Sequence, residues 1–392
     1  MSLGYAMYDA DNHLYETADA FTRHLPAHRR RDFYWVTDER GHRQIVLGGK
    51  LWNFLPNPTF NPIAVAGCLL DVFAGEKTMI EAKEQAYTFE PLADRPEYQH
   101  REERLARMDE QEIEASLLFP TLVSGLEEAT AHDVDLTVDL LWSFNRWLEE
   151  EWGFSHQGRL HATPVVSLAD LPAALEMLDW ALAQGVRAIM VRPSPVPTRE
   201  GWKSPADPRF DPFWARCQEA GLLVCSHLSA DGYHRYSGDW TGIYEFAPHR
   251  PQGPLARIIT HARATMDFFA AMVVHGAVSR FPNLRLVSVE NGSDWVAWLT
   301  ERFRVEYSRY PGSFREDPLE AFQRCVYVVP YWEEPIHELS SLIPVERILA
   351  GSDFPHSDGL PEPVQFAKAL TEFSDAEVRM IMRDNLRSIH VA

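Results

Sequence analysis

Four side chains of types that commonly bind metal ions stand at the ends of three hydrophobic runs. Asp11 and His13 end the first run, His227 ends the apolar run LLVCSH, and Asp353 lies in ILAGSDFPH. Residues two apart on a strand point to the same side, so Asp11 and His13 face one way. Two imidazoles and two carboxylates suit Zn²⁺ or Mn²⁺, because Mg²⁺ and Ca²⁺ prefer oxygen ligands alone. The pattern predicts one shared divalent metal ion, although a single strand-end Asp or His is more typical of a cap or turn.

The three runs belong to a chain in which strand-like runs alternate with helix-length amphipathic segments. Eight strands are predicted, over residues 5–11, 115–120, 160–165, 186–191, 222–227, 284–290, 326–329 and 348–352. Helices are predicted over residues 98–111, 133–151, 168–183, 211–220, 255–280, 294–310, 334–342, 363–373 and 375–389. This alternation predicts a (β/α)8 TIM barrel as a single domain over residues 1–392, with the ends of strands one, five and eight meeting at one mouth.

Two segments are too long for ordinary loops of such a fold. We expect long insertions after strands one and five, at about residues 15–97 and 228–254. Loops of this length usually form a lid, a subunit contact or a small subdomain. The first is rich in aromatic residues, which predicts a homodimer contact, and a lid would use the same surface.

Composition and charge limit the classes of partner. The 392 residues are 45% hydrophobic, enough for a large core, and the formal net charge is −20. Without a basic patch, such a chain repels nucleic acid and anionic membranes. No apolar run approaches a membrane span, there is no signal-peptide pattern, and the four cysteines form no C-x-x-C pair, so a cytoplasmic protein is expected.

Several motifs resemble one enzyme family. The start D-x-D-x-H-x-x-E at residues 9–16 and the segments 107–121, 280–295 and 348–359 are similar to the amidohydrolase superfamily. Within it, they resemble the branch named for aminocarboxymuconate semialdehyde decarboxylase. The resemblance implies a metal-dependent barrel enzyme, with the four residues named above at the ligand positions.

The sequence departs from the family pattern in two places that matter for chemistry. Strand four ends VRAIMVRPSP without the lysine that bridges two metals in many members, which implies a mononuclear site. Strand six ends in Glu290 where the family often has histidine, so the group that handles protons is either Glu290 or His234 in the second insertion. Asp353 is the family-based candidate for the catalytic acid.

Other residues at the predicted mouth are candidates for binding the substrate. Arg192 could clamp a substrate carboxylate, or form an ion pair with a strand-end carboxylate such as Glu290. His356 could contact substrate or hold a loop, and Tyr331 and Trp332 could wall a planar, aromatic substrate. His261 falls within a predicted helix and is expected to be remote from the site.

These features lead to three functional hypotheses. The first is a metal-dependent non-oxidative decarboxylase, or carboxy-lyase, acting on a small aromatic or unsaturated carboxylate. The second is a metal-dependent hydrolase that cleaves a C–N, C–O or C–C bond with a metal-activated water. The third is a barrel that has lost catalysis, which the intact ligand set argues against. Both enzyme hypotheses use the same residues, and fold does not fix the reaction.

Overall fold

Parallel strands form the centre of the molecule, as the alternating pattern predicts. The computed structural model describes residues 3–85, 87–245 and 253–390. The strands are β1 (Met7–Leu14), β2 (Phe33–Thr37), β3 (Arg43–Leu47), β4 (Lys50–Leu51), β5 (Ile63–Ala64), β6 (Phe89–Glu90), β7 (Ile113–Pro120), β8 (Leu160–Ala162), β9 (Ala188–Val191), β10 (Val196–Thr198), β11 (Gly201–Lys203), β12 (Leu223–His227), β13 (Arg285–Val289) and β14 (Val326–Val328).

Two parallel sheets carry seven of the eight strands that the alternating pattern predicted. One has the order β1-β7-β8 and the other the order β14-β13-β12-β9. An isolated parallel bridge between Val165 and Met190 links the two sheets, and another joins Asn12 to Phe354. The chain is therefore an α/β protein with parallel sheets. Closure into an eight-stranded barrel, and a single domain over residues 1–392, stay predictions.

The eighth predicted strand, at residues 348–352, does not form a regular ladder. Ile348 makes only an isolated bridge to Val328. Four residues on, the backbone N–H of Ser352 donates to the carboxylate of Asp9 at 3.0 Å. The segment still has backbone hydrogen bonds to both sides, from Leu349 N to the carbonyl of Val328 at 3.0 Å and from Ala10 N to the carbonyl of Ala350 at 2.9 Å. The side chain of Asp9 thus adds to an irregular backbone pairing, which the sequence pattern could not show.

Helices surround the sheets, and most lie where the amphipathic pattern predicted them. They are α1 (Leu70–Phe73), α2 (Met79–Gln85), α3 (Arg101–Glu110), α4 (Leu126–Thr130), α5 (Val134–Glu151), α6 (Leu171–Ala183), α7 (Asp211–Glu219), α8 (His234–Thr241), α9 (Gly253–Thr260), α10 (Arg263–Val274), α11 (Ala277–Arg280), α12 (Asp294–Arg309), α13 (Pro318–Cys325), α14 (Ile336–Ser340), α15 (Asp375–Arg379) and α16 (Asn385–His390). None of these helices, within the described ranges, has the length and apolar character needed to cross a bilayer.

The single helix predicted over residues 255–280 is wrong. The segment contains α9, α10 and α11, separated by Ala262 and Gly276. These two residues have φ values of 50° and 74°, in the left-handed region that a right-handed helix cannot include. The first break frees His261 from the helix, with consequences for the site described below.

The two segments predicted as insertions contain small elements of their own. Between β1 and β7, strands β2, β3 and β4 form an antiparallel sheet, and β5 pairs with β6. The rings of Phe21 and Phe33 stack there at 5.0 Å between centroids. After β12, the chain forms α8 and then α9, while residues 246–252 of the predicted second insertion lie outside the described residues. The predicted homodimer stays a prediction.

A buried pair of histidines joins the third predicted strand to the last helix. The rings of His161 on β8 and His390 on α16 meet edge to face, with 3.9 Å between centroids. Burial lowers the pKa of His161 to about 4 and the pKa of His390 to about 3. Both are therefore neutral in the folded chain at pH values where an unfolded histidine, with a pKa near 6.5, takes up a proton.

This pair should make the fold sensitive to mild acid. Depressed histidine pKa values stabilise the native state fully above about pH 6.5, and that contribution is lost as pH falls toward 4 and 3. At pH 5 the loss is roughly 2 kcal/mol for each histidine. We expect the midpoint temperature of thermal unfolding to fall less between pH 7.5 and pH 5 in the His161→Gln/His390→Gln variant than in the wild type. Equal pH dependence in the two proteins would contradict this prediction.

Candidate metal centre

Four side chains converge around one imidazole nitrogen, Nε2 of His13. His13 Nε2 lies 3.4 Å from Asp11 Oδ1 and 3.4 Å from Asp353 Oδ1. The same nitrogen lies 3.2 Å from His227 Nε2 and 3.6 Å from Glu290 Oε2. The structure thus brings together all the residues predicted as metal ligands, and adds Glu290 to them.

Strand ends position these groups. Asp11 and His13 lie in β1, and His227 is the last residue of β12. Glu290 and Asp353 follow directly after their strand segments, with φ values of 55° and 56°. Left-handed backbone at non-glycine residues is strained and tends to occur at functional sites. Here it occurs at the two carboxylates that follow a strand and turn back toward His13.

Contacts behind the imidazoles fix which nitrogen faces the cluster. The Nδ1–H of His227 donates to the carbonyl of Leu228 at 2.8 Å, which leaves Nε2 with a lone pair toward His13. Thr121 Oγ1 lies 3.4 Å from His13 Nδ1 and 3.4 Å from His356 Nε2. Neutral imidazoles held in this way can act as metal ligands.

Electrostatics separate the three carboxyl groups of the cluster. Burial opposes ionisation of Asp11, but the imidazoles of His13 and His227 outweigh it and hold the pKa of Asp11 below its usual range. Burial raises the pKa of Glu290 to about 7. Burial, with the neighbouring charges of Glu290 and Asp358, raises the pKa of Asp353 well above its usual value.

The cluster fits a divalent cation. Asp11 Oδ1 is fully buried and accepts no hydrogen bond within the described part of the chain. Two ligand atoms about 2.1 Å from one ion, at a tetrahedral angle, would lie about 3.4 Å apart, close to the spacings around His13 Nε2. Buried carboxylates are costly without a compensating charge, and a cation would provide it. The atoms fall into two overlapping groups that could hold an ion: Asp11, His13 and His227; and His13, Glu290, Asp353 and His356.

Asp9 supports the cluster through hydrogen bonds to its carboxylate. It was not predicted as a site residue. Its carboxylate accepts hydrogen bonds from Ser352 Oγ at 2.6 Å, Ser352 N at 3.0 Å, Asn12 Nδ2 at 3.0 Å and Asp11 N at 3.1 Å. These bonds connect the end of β1 to the segment that carries Asp353. The D-x-D-x-H spacing was the available signal, because Asp9 shares a strand side with Asp11 and His13.

Arg104 supports the same strand end, and nothing in its helical sequence pattern pointed to it. Its side chain is fully buried, and Nη2 donates to the carbonyl of His13 at 2.8 Å. Nη1 donates to Asn12 Oδ1, and Nε donates to the carbonyl of Glu97 at 2.8 Å. The guanidinium therefore fixes the backbone of the residue at the centre of the cluster.

Two of the predicted substrate or catalytic residues lie outside the cluster. The Arg192 guanidinium is buried and donates to Glu128 Oε2 at 2.7 Å and to the carbonyl of Pro195 at 3.1 Å. Its ion-pair partner is thus Glu128, and not the Glu290 that the sequence had suggested. His234 begins α8, with Nδ1 3.9 Å from Glu128 Oε1.

His356 and two aromatic residues lie beside the predicted metal ligands. His356 Nδ1 lies 2.6 Å from Asp353 Oδ1. The hydroxyl of Tyr331 donates to the carbonyl of Glu290 at 2.9 Å, and Trp332 Nε1 donates to the carbonyl of Asp358 at 3.4 Å. Tyr331 and Trp332 both wall the cavity that opens beside the cluster.

This cavity has a volume of about 250 Å³ and an acidic lining. Its carboxyl groups are Asp11, Glu290, Glu333, Asp353 and Asp358, and its rings are Phe73, His261, Tyr331 and Trp332. The expectation that His261 is remote is therefore wrong, because the helix break at Ala262 leaves it at the wall. Glu333 and Asp358 were missed by the sequence interpretation, which had no means of placing loop carboxylates in one cavity.

Comparison with known proteins identifies the family. A family model described as amidohydrolase matches residues 8–387. The chain belongs to the amidohydrolase family, which confirms the resemblance seen in the sequence, and it is a metal-dependent enzyme of that fold. No curated protein matches the chain.

Solved structures show similarity at two levels. An amidohydrolase from Mycobacterium avium subsp. paratuberculosis K-10 is 41% identical, with a TM-score of 0.94, over 99% of this chain and 100% of that one. A 2,6-dihydroxybenzoate decarboxylase from Rhizobium is 18% identical, with a TM-score of 0.57, over 74% of this chain and 87% of that one.

A third structure was solved with a metal. It is a 5-carboxyvanillate decarboxylase from Novosphingobium aromaticivorans, complexed with manganese. It is 15% identical, with a TM-score of 0.61, over 100% of this chain and 97% of that one. At these identities, the two decarboxylases show a shared fold.

Replacing Asp9 should weaken metal binding without removing a ligand. An asparagine keeps one acceptor oxygen but turns an amide N–H₂ toward donors such as Ser352 N, so the strand end would shift. Loss of such a supporting contact typically costs 10–100-fold in metal affinity. We expect Asp9→Asn to raise the Kd for Mn²⁺ or Zn²⁺ by about this factor in a chelator competition assay. The exposed carboxylate variant Asp179→Asn should keep the wild-type Kd, and an unchanged Kd for Asp9→Asn would contradict the prediction.

Proposed function

We propose that the chain is a metal-dependent hydrolase with a (β/α)8 barrel fold. Asp11, His13, His227 and Asp353 would hold one divalent cation, Zn²⁺ or Mn²⁺. Such a cation supplies Lewis-acid chemistry, because it polarises a substrate oxygen and lowers the pKa of water toward about 7. The substrate is a small molecule that enters the cavity beside the cluster.

The composition of the cavity supports hydrolysis over decarboxylation. Among the described residues that line it, five bear carboxyl groups and none is lysine or arginine. A substrate carboxylate that must be oriented for loss of CO₂ is usually held by a cationic side chain. The sequence suggested Arg192 for that role, but its guanidinium is already paired with the carboxylate of Glu128. A hydrolase needs a base at the site instead, and carboxylates are present.

Asp353 is the candidate proton acceptor. Its Oδ1 faces His13 on one side and His356 on the other, at 3.4 Å and 2.6 Å. A carboxylate so placed can take a proton from the attacking water and return it to the leaving group. His356 would keep that carboxylate in position.

Decarboxylation of an aromatic or unsaturated carboxylate is the second candidate. It is favoured by the raised pKa of Asp353, since a carboxyl group that keeps its proton can deliver it to carbon. Tyr331 and Trp332 would then wall the ring of the substrate.

A substrate panel distinguishes the two reactions. We expect metal-loaded protein to hydrolyse a member of a panel of amides, lactones and vinylogous ketones, followed by mass spectrometry, and to release no CO₂ from hydroxybenzoates. Asp353→Asn, measured at saturating metal with its metal content determined, should lower kcat by about 10²–10⁴-fold. The exposed variant Glu346→Gln is the control. Release of CO₂ without hydrolysis of the panel would overturn the hydrolase proposal.

Paired variants decide which group assists proton transfer. Glu290 lines the cavity and lies 3.3 Å from His227 Nε2, whereas His234 lies beside Glu128. We therefore expect Glu290→Gln to lower kcat by at least about tenfold and to change the pH profile of kcat/KM. His234→Gln should stay within twofold of wild type. The reverse outcome would assign the role to His234.

A further inference from the structure

The outer part of the cavity carries acidic groups that the proposed reaction does not use. Glu333 and Asp358 lie in loops beyond the metal ligands, and both line the cavity with Trp332. The neighbouring Glu334 has a structural task, because its carboxylate accepts hydrogen bonds from Ser293 N at 2.8 Å and Tyr331 N at 2.9 Å. For Asp358, the described contact of the carboxylate is with Ser357 Oγ at 3.5 Å.

The outer part of the cavity contains acidic groups without a neighbouring lysine or arginine. Among the described residues that line the cavity, Glu333 and Asp358 are the carboxyl groups that neither the proposed metal site nor the proposed proton transfer uses, and none is lysine or arginine. The imidazole of His261, which is also in the lining, is paired with Asp294 Oδ2 at 3.0 Å. A site lined in this way favours a cationic group over an anionic one.

The arrangement of charge and rings fits a particular chemical group. An indole face beside carboxylates is the environment in which proteins bind organic cations, through cation–π and ionic contacts together. Trp332 is held there by the hydrogen bond from its Nε1 to the carbonyl of Asp358, at 3.4 Å. The ring of Phe73 forms part of the same lining.

We propose that the substrate carries a positively charged nitrogen group, an amine or amidine, which binds against Trp332 between Glu333 and Asp358. This inference rests on the proposed hydrolase function, because it names the class of compound that the same cavity takes. It makes Glu333 and Asp358 specificity-determining residues. They would orient the substrate while its scissile bond faces Asp353.

Binding of three matched probes tests the proposal without turnover. Benzamidine, benzamide and benzoate have similar shapes but are cationic, neutral and anionic. With Mn²⁺-loaded protein in a calorimeter, we expect benzamidine to bind at least tenfold more tightly than benzoate. The comparison is stringent, since benzoate can also coordinate the metal. Equal or tighter binding of benzoate would overturn the proposal.

Variants separate local recognition from net charge. The Glu333→Gln/Asp358→Asn double variant should reduce the preference for benzamidine over benzoate by at least fivefold and leave benzamide within twofold. Asp179→Asn/Glu301→Gln removes the same charge from the exposed faces of α6 and α12 and should keep the wild-type preference. An equal effect of the two double variants would refute recognition by Glu333 and Asp358. The two proposals fail in different experiments. Failure of the hydrolase proposal would appear as an absence of product in the substrate panel, whereas failure of cation recognition would appear in these binding preferences.

Discussion

The structure depends on gathering carboxylates and imidazoles at one place with little exposure to water. Asp11, Glu290 and Asp353 all approach His13; Asp11 is buried, while the side chains of Glu290 and Asp353 are each 17% exposed where they line the cavity. In a low-dielectric environment, carboxylates repel one another or take up protons, and imidazolium groups lose theirs, unless a cation balances the charge. The shifted pKa values and the unsatisfied oxygen of Asp11 reflect this tension. A divalent ion would turn the same arrangement into a stable centre.

The surrounding chain is built to hold that arrangement against repulsion. Asp9 joins the first strand to the segment after Ser352, and Arg104 fixes the backbone of His13. The left-handed backbone at Glu290 and Asp353 is tolerated because neighbouring contacts determine it. Close packing contributes as well: a Cβ at Gly351 would lie 2.6 Å from the Cβ of Asp11, so only glycine fits there. Several unrelated sites in the sequence thus serve one constraint.

The cavity beside the cluster raises a separate question, namely which reaction and which substrate the site serves. The resemblance to the family predicts the ligand residues, but similar structures include both decarboxylases and an amidohydrolase, and the fold leaves the reaction open. In this chain the guanidinium of Arg192 is paired with Glu128, and Glu333 and Asp358 lie at the cavity. The described residues that line the cavity therefore include carboxyl groups and no lysine or arginine. This composition supports the proposal of a cationic substrate.

The sequence by itself determined the parallel α/β architecture, the enzyme family and the convergence of Asp11, His13, His227 and Asp353. Periodicity and strand-end position are local properties, and they can be read from neighbouring residues. Only the tertiary structure decided the rest: the partner of Arg192, the support from Asp9 and Arg104, the irregular eighth segment and the acidic mouth. Each of these depends on which distant groups meet in space, and burial and charge balance between such groups leave no periodic trace in the sequence.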